Sequence, residues 1–404
     1  MNNHPLTKKQ IINMLKKQNK LISETETINL IEAKDRILSE NLKSKINLPP
    51  FNNSAVDGYA ILKTDLSKNK VLYCSKRIAA GDNKEFKIKK GEVVRIFTGA
   101  KMPTNSSTIV MQENTVKKGN KIYLIKVPRL GENYRLKGED IKKNQIILEK
   151  GTVINKKNLN LIAAVGITKI KVFKKIQIGF FTSGNELRLP NTKLKHSQIN
   201  NSNYFSLQSL LSINYISKKY CGNLQDNYKD VKNKLTNASK KFNIIITAGG
   251  ASVGDEDYLI SVLSKVGKIF FWKAAIKPGR PIAVGKINKT FVVCLPGNPV
   301  SVQLLFAMLI IPFIKSLAGG KFEIPKSELI YSYFNMKKKN KRMEWLRVIK
   351  KRIKNKNYAI KFPKQGSGMI TSISYSDGII EIPEDVSKIK KEDIFEFYNF
   401  DYIF

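Results

Sequence analysis

Asn243-Ile244-Ile245-Ile246-Thr247-Ala248-Gly249-Gly250-Ala251-Ser252-Val253-Gly254-Asp255-Glu256-Asp257-Tyr258 is the stretch whose reading decides the fold. A short β-branched run stops at a glycine pair, and a polar turn then opens onto the apolar periodicity of 258–266. That is the pattern of strand, loop and helix. It recurs upstream, where an apolar strand at 176–181 runs into Thr182-Ser183-Gly184-Asn185-Glu186-Leu187. It recurs downstream, where a strand at 291–295 meets Leu295-Pro296-Gly297-Asn298-Pro299 and a helix follows over 300–317. Further helical spacing at 204–211 and 226–240 fills the intervals. Strands alternating with helices predict βαβ units and a parallel sheet covered on both faces, a three-layer α/β/α domain.

On the N-terminal side the first forty-odd residues have helical spacing and give way to an extended Leu48-Pro49-Pro50-Phe51. Short β-like runs at 71–73, 93–97, 109–111 and 122–125 lie between Gly- and Lys-rich turns, and helical spacing returns at 159–165. This reads as a helical region carrying an inserted small β domain at about 50–140. After Gly319-Gly320 the remainder reads as strands and turns, a C-terminal all-β domain. The expected multidomain α/β division is 1–173, 174–320 and 321–404.

Of 404 residues, 72 are Lys or Arg and 32 Asp or Glu, a formal charge of +40. Basic footprints on nucleic acid are normally clustered, whereas this excess is spread along the chain beside many Asn and Ile, residues that share AT-rich codons with Lys. Compositional drift explains it better than a polyanion-binding surface. The densest runs, 337–342 and 350–356, read as solvated hairpin or loop faces. Three scattered cysteines, Cys74, Cys221 and Cys294, indicate neither a disulfide framework nor a zinc site. With only His4 and His196, any chemistry must run on carboxylates, hydroxyls, lysines or a bound metal. Residues 1–20 hold no uninterrupted apolar core of a signal peptide. The uncharged 291–314 is long enough to span a bilayer, but its two proline breaks favour a strand, a turn and a core helix. The expectation is a soluble cytoplasmic protein with no membrane and no specific nucleic-acid partner.

Ligands of a parallel sheet sit beyond the carboxyl ends of its strands, where all three glycine-containing loops fall. Glycines let backbone N–H groups approach an anion, and the following helix N-terminus adds a favourable field. Any one loop would pass as an ordinary βα turn; three in one sheet indicate a phosphate-bearing ligand. Gly250-Ala251-Ser252-Val253-Gly254 also matches a hydrolase nucleophile elbow, but that fold needs a histidine after the serine, and none follows Ser252. In a chain so poor in acid, carboxylates beside glycine turns stand out: Asp57, Glu139, Asp140, Glu186, Asp226, Asp255, Glu256 and Asp257. Carboxylates together with phosphate oxygens are how Mg²⁺ is held.

Together these segments resemble the molybdopterin molybdenumtransferase family, to which the C-terminal domain of gephyrin also belongs. The matching pieces run in family order: Ser54-Ala55-Val56-Asp57-Gly58-Tyr59-Ala60, Arg95-Ile96-Phe97-Thr98-Gly99-Ala100 and Gly138-Glu139-Asp140, then the first loop and Ser202-Asn203. Gly249 to Gly254 with Asp257-Tyr258, Lys277-Pro278-Gly279-Arg280-Pro281, Leu295 to Ser301 and Gln365-Gly366-Ser367-Gly368 complete the set. The resemblance implies insertion of molybdate into adenylated molybdopterin with release of AMP, assisted by Mg²⁺. It also implies a homodimer whose cleft is shared between the α/β domain of one subunit and the inserted β domain of the other, with transient contact with other cofactor-assembly proteins. By position, Asp57, Thr98, Asp140, Glu186, Asp226 and Asp257 form the implied catalytic set, with Glu186 and Asp257 toward the metal. Gly184, Gly249, Gly250, Ser252, Lys277, Arg280, Pro296, Asn298 and Ser301 form the implied ligand cradle. The chain departs from the family at Asn185, Asn201 and Asn243, where Asp is usual, at Asp35, a usual glycine, and at Ser107, a usual acid. Those Asp-to-Asn changes motivate a rival reading, a catalytically impaired pterin-binding paralogue, and the charge motivates a polyanion-binding protein. A scaffold role like gephyrin's has no support in the chain's layout.

Overall fold

The computed structural model describes residues 4–250, 258–339 and 341–404. Strand Ile244–Ala248 lies inside a six-stranded sheet ordered Ile216–Leu224, Ile176–Ser183, Ile244–Ala248, Thr290–Leu295, Ala283–Ile287, Lys268–Trp272. The first four run parallel. These four are the expected parallel sheet; Ala283–Ile287, which the sequence reading did not include, runs antiparallel to both of its neighbours, Thr290–Leu295 and Lys268–Trp272. Only Asn288 and Lys289 separate Ile287 from Thr290, too short for a crossover, and Asn288 takes the left-handed φ (+53°) of a tight hairpin.

Both faces are covered, as the apolar runs require. Ile244, Ile246 and Ala248 face one core together with Leu207 of helix Ser202–Leu210 and the helical stretch Pro299–Leu317. Ile245 faces the other, against Val231 and Leu235 of helix Tyr228–Ser239 and Leu259 to Leu263 of helix Tyr258–Val266. The apolar stretch 299–317 is core: 83% of its most hydrophobic window is buried within the chain. A π turn at Phe306–Ile310 widens it just before Pro312, which brings no N–H to the ladder.

The N-terminal region is less helical than its sequence suggests. Helix Lys8–Lys17 opens on a Thr7/Gln10 capping box. Its Ile11 and Leu15 enter the core of the six-stranded α/β sheet instead of a core of their own. Thr25–Asn29 then forms a strand antiparallel to Lys169–Phe173, and Leu42–Lys43 pairs with Ile146–Leu148. Both partners lie beyond the insert, so no local pattern betrays them. Helix Lys156–Ala164 is where it was expected.

The insert is a six-stranded sheet ordered Thr108–Met111, Gly58–Ile61, Glu92–Ile96, Val71–Ile78, Lys121–Leu124, Thr115–Lys118, with a small core on each face. In the C-terminal region a β sheet is built on the long strand Met343–Ile353, and two short helices, Thr371–Ser374 and Phe400–Ile403, were not anticipated. The basic run 350–356 is a hairpin, as read. The run 337–342 is not wholly solvated: Lys338 is buried and its ammonium donates to the Glu384 carbonyl at 3.1 Å.

Candidate active site

At the carboxyl end of the parallel strands the loops enclose a cavity of about 540 Å³. Ser183 and Glu186 come from the first loop, and Pro296, Gly297 and Asn298 from the third. Asn201, Ser202 and Asn203 come from the start of helix Ser202–Leu210, and Gly368 and Ile370 from the C-terminal region. The second loop reaches this place through Gly249, whose N–H donates to the Leu295 carbonyl at 3.1 Å. Gly249 has φ +104°, and a Cβ there would stand 2.5 Å from the Ser183 carbonyl oxygen, so a side chain is excluded. Ser252 and Asp257 lie outside the described residues.

The first loop is held from beneath by a buried polar network. Thr182 Oγ1 donates to Asn223 Oδ1 at 2.9 Å and accepts from Asn201 Nδ2 at 2.9 Å. Asn223 Nδ2 in turn donates to the Gly184 carbonyl at 2.7 Å. Asn201 also caps its helix, its Oδ1 accepting from the Tyr204 N–H at 3.0 Å. Both ends of this amide are used, and a carboxylate could supply only one. At the loop's tip the Asn185 N–H donates to Asp226 Oδ2 at 3.3 Å, so Asp at 185 would set two carboxylates together. Asn243 only accepts, from the Gln177 N–H at 2.8 Å, and an Asp would serve there equally. Asp35 has φ +60°, which accounts for the glycine expected at that position.

A buried cation supports the other wall. Arg347 is 1% exposed, and burial pulls its guanidinium down to a pKa of about 10. It donates to Ser372 Oγ (3.1 Å), the Trp345 carbonyl (3.0 Å) and the Gly366 carbonyl (3.3 Å). Those bonds fix the segment 366–372, whose Ser367 carbonyl accepts the Val300 N–H at 3.2 Å.

The structure brings some of the expected residues together and leaves others apart. Glu186, Pro296 and Asn298 line the cavity, with Gly184 and Gly249 behind the lining. Gly250, also with positive φ, packs against Leu259 and Ser183. Ser301 is buried one turn into its helix. The Lys277 ammonium is ion-paired with Glu344 at 2.7 Å, and Arg280 is exposed; neither lines the cavity, although Pro281 does. Asp57 and Thr98 meet each other in the inserted sheet. Asp57 Oδ1 accepts from the Thr98 N–H (2.8 Å) and hydroxyl (2.7 Å), and these bonds hold the carboxyl below the usual range. Asp140 is exposed on a turn whose N–H groups reach Leu48 and Pro49. None of these three is among the residues lining the cavity. Asn201, Asn203 and Arg347 were not singled out as site residues, although the Ser202-Asn203 and Gln365-Gly366-Ser367-Gly368 motifs lay beside them.

Comparison with known proteins agrees with this geometry. Residues 6–166 match the MoeA N-terminal region (domain I and II), 179–316 a probable molybdopterin binding domain and 332–400 the MoeA C-terminal region (domain IV). The molybdopterin molybdenumtransferase of Haemophilus influenzae is 36% identical over 327 residues, 80% of this chain and 81% of that protein. That of a Nostoc species is 32% identical, covering 73% of this chain and 70% of the relative. The crystal structure of a molybdopterin biosynthesis MoeA protein from Pyrococcus horikoshii superposes with a TM-score of 0.83 at 25% identity, covering 98% of this chain and 100% of that one. The loops, the cavity they enclose and the full-length match lead to one conclusion: the chain belongs to the molybdopterin molybdenumtransferase family and is a transferase of molybdenum cofactor biosynthesis.

Proposed function

We propose that the chain inserts molybdate into adenylated molybdopterin and releases AMP, with Mg²⁺, as a cytoplasmic homodimer that shares its active cleft. The observation that carries this reading is the cavity at the strand ends, lined by the first and third of the loops that the sequence marks for a phosphate-bearing ligand, with Gly249 of the second behind it. The backbone around Gly297, where helix Pro299–Leu305 begins, would bind the anionic part of the substrate, and Asn298, the N-cap of that helix, would orient it. The segment 366–370, braced by Arg347, would keep water from the anhydride.

Mg²⁺ takes hard oxygen ligands, usually one or two carboxylates completed by substrate phosphates and water. Glu186 and Asp226 suit that role, on loops that leave the neighbouring parallel strands Ile176–Ser183 and Ile216–Leu224. When bound, the ion would neutralise the phosphoanhydride and help AMP leave. Asp57 and Thr98 belong to the insert, which contributes none of the residues lining the cavity among those described; this supports their acting on the cavity of a partner subunit. The same reading divides the chain at 173/174 and 320/321.

The direct test supplies purified protein with adenylated molybdopterin, molybdate and Mg²⁺ and follows AMP. AMP release that requires all three is expected, and none under any condition sinks the proposal. Mixed dimers of an Asp57→Ala chain and a Glu186→Ala chain should recover part of the activity. Verified mixed dimers without recovery would place the whole site in one chain.

A further inference from the structure

Arg77 and Arg95 stand directly opposite each other on the neighbouring parallel strands Val71–Ile78 and Glu92–Ile96. Both guanidinium groups lie over the ring of Phe97, 4.7 and 4.8 Å from its centroid, and Arg95 also lies 5.2 Å from the Tyr59 ring. Like charges directly opposed across strands destabilise a sheet, and aromatic rings offset only part of that. Among the described residues neither arginine is ion-paired with a carboxylate. They differ in freedom. Arg95 is pinned, donating to the Gly58 carbonyl at 3.2 Å and to Gln112 Oε1. Arg77 is exposed, and its fork of N–H donors makes no hydrogen bond among the described residues.

The pair sits where strand Val71–Ile78 ends, strand Glu92–Ile96 runs into Thr98, and strand Gly58–Ile61 begins after Asp57. Asp57 brings one negative charge to this end of the sheet, with Oδ1 already taken by Thr98. Two fork-shaped donors, one fixed and one free, match the edges of a tetrahedral oxyanion better than point charges do. We infer that Arg77 and Arg95 form a binding site for a tetrahedral oxyanion on the end of the inserted sheet that carries Asp57 and Thr98. The inference rests on the proposed reaction, which involves two such groups, molybdate and the phosphate of the adenylate. In a shared cleft the site brings one of them to Asp57 while the pterin occupies the cavity of the other subunit.

Equilibrium dialysis of the full chain, with sodium molybdate in one arm and AMP in the other, tests this. Arg77→Gln should weaken binding in at least one arm about tenfold or more, the scale of a lost charge-assisted hydrogen bond. Arg77→Lys should recover only part, because it keeps the charge and loses the fork. Lys117→Gln, an exposed charge elsewhere on the same sheet, should change neither arm. Loss confined to the molybdate arm assigns the site to the metal oxyanion, and loss confined to the AMP arm assigns it to the phosphate. No binding of either anion by the unmodified chain, or equal affinities for it and Arg77→Gln in both arms, overturns the inference. AMP release by the unmodified chain, measured alongside, decides the transferase reading separately.

Discussion

Asn201→Asp should be a costly substitution here, although the family resemblance leads to the expectation of Asp at this position. Asn201 is 3% exposed; its oxygen caps helix Ser202–Leu210 and its amide donates to Thr182 Oγ1 at 2.9 Å. Aspartate caps as well as asparagine, so the first role survives. The second does not: one buried hydrogen bond is lost, worth about 1 kcal/mol net. The new carboxylate must also ionise where water scarcely reaches, or rotate the Thr182 hydroxyl away from Asn223 and loosen its hold on Gly184. The sum is about 2–4 kcal/mol at neutral pH. Asn201→Ala loses cap and donor but buries no charge, so it should cost about 2 kcal/mol. Burial favours the protonated acid, so the Asp penalty should shrink as pH falls and the Ala penalty should not. Urea midpoints at pH 8 and pH 5, with amide exchange followed over 176–188, would measure both effects. An Asn201→Asp chain within about 0.5 kcal/mol of the parent at pH 8 would refute the need for this donor. The asparagine would then be compositional drift.

Three further outcomes follow from the same structure. Thr98 bonds keep the Asp57 carboxyl below its usual range, so Asp57 stays ionised to lower pH; if AMP release needs that charge, Thr98→Val should move the acid limb of the pH–rate profile upward. An unmoved limb would show that Asp57 does not control it. Asp35→Gly should stabilise the fold by about 0.5–1 kcal/mol, because position 35 has φ +60° and its N–H bond to the Ile154 carbonyl is unaffected; a lowered urea midpoint would contradict this. Glu381→Gln should destabilise by about 3 kcal/mol, since Lys8, only 11% exposed at its side chain, loses its carboxylate partner at 2.6 Å; a change below about 1 kcal/mol would show the pair to be dispensable.

The order of strands, glycine loops and helices over 176–317 was legible because a buried strand and an amphipathic helix leave different local periods. For the same reason the three loops could be assigned to one end of the sheet before any coordinates. The family resemblance also marked Asp57 and Thr98, which lie far apart in sequence yet share a hydrogen bond. Local pattern could not reveal partners that lie a domain away. Strand Thr25–Asn29 pairs across the whole insert, helix Lys8–Lys17 buries Ile11 and Leu15 in another unit's core, and Lys277 spends its charge on Glu344. The two ends of the Asn201 amide, the buried Arg347 and the register that sets Arg77 opposite Arg95 are likewise products of pairing and burial. By itself the sequence determined which loops stand at the carboxyl end of the sheet and which residue types they carry. Tertiary structure alone decided which of those groups are free to act, because hydrogen-bond partners and desolvation are set by neighbours in space.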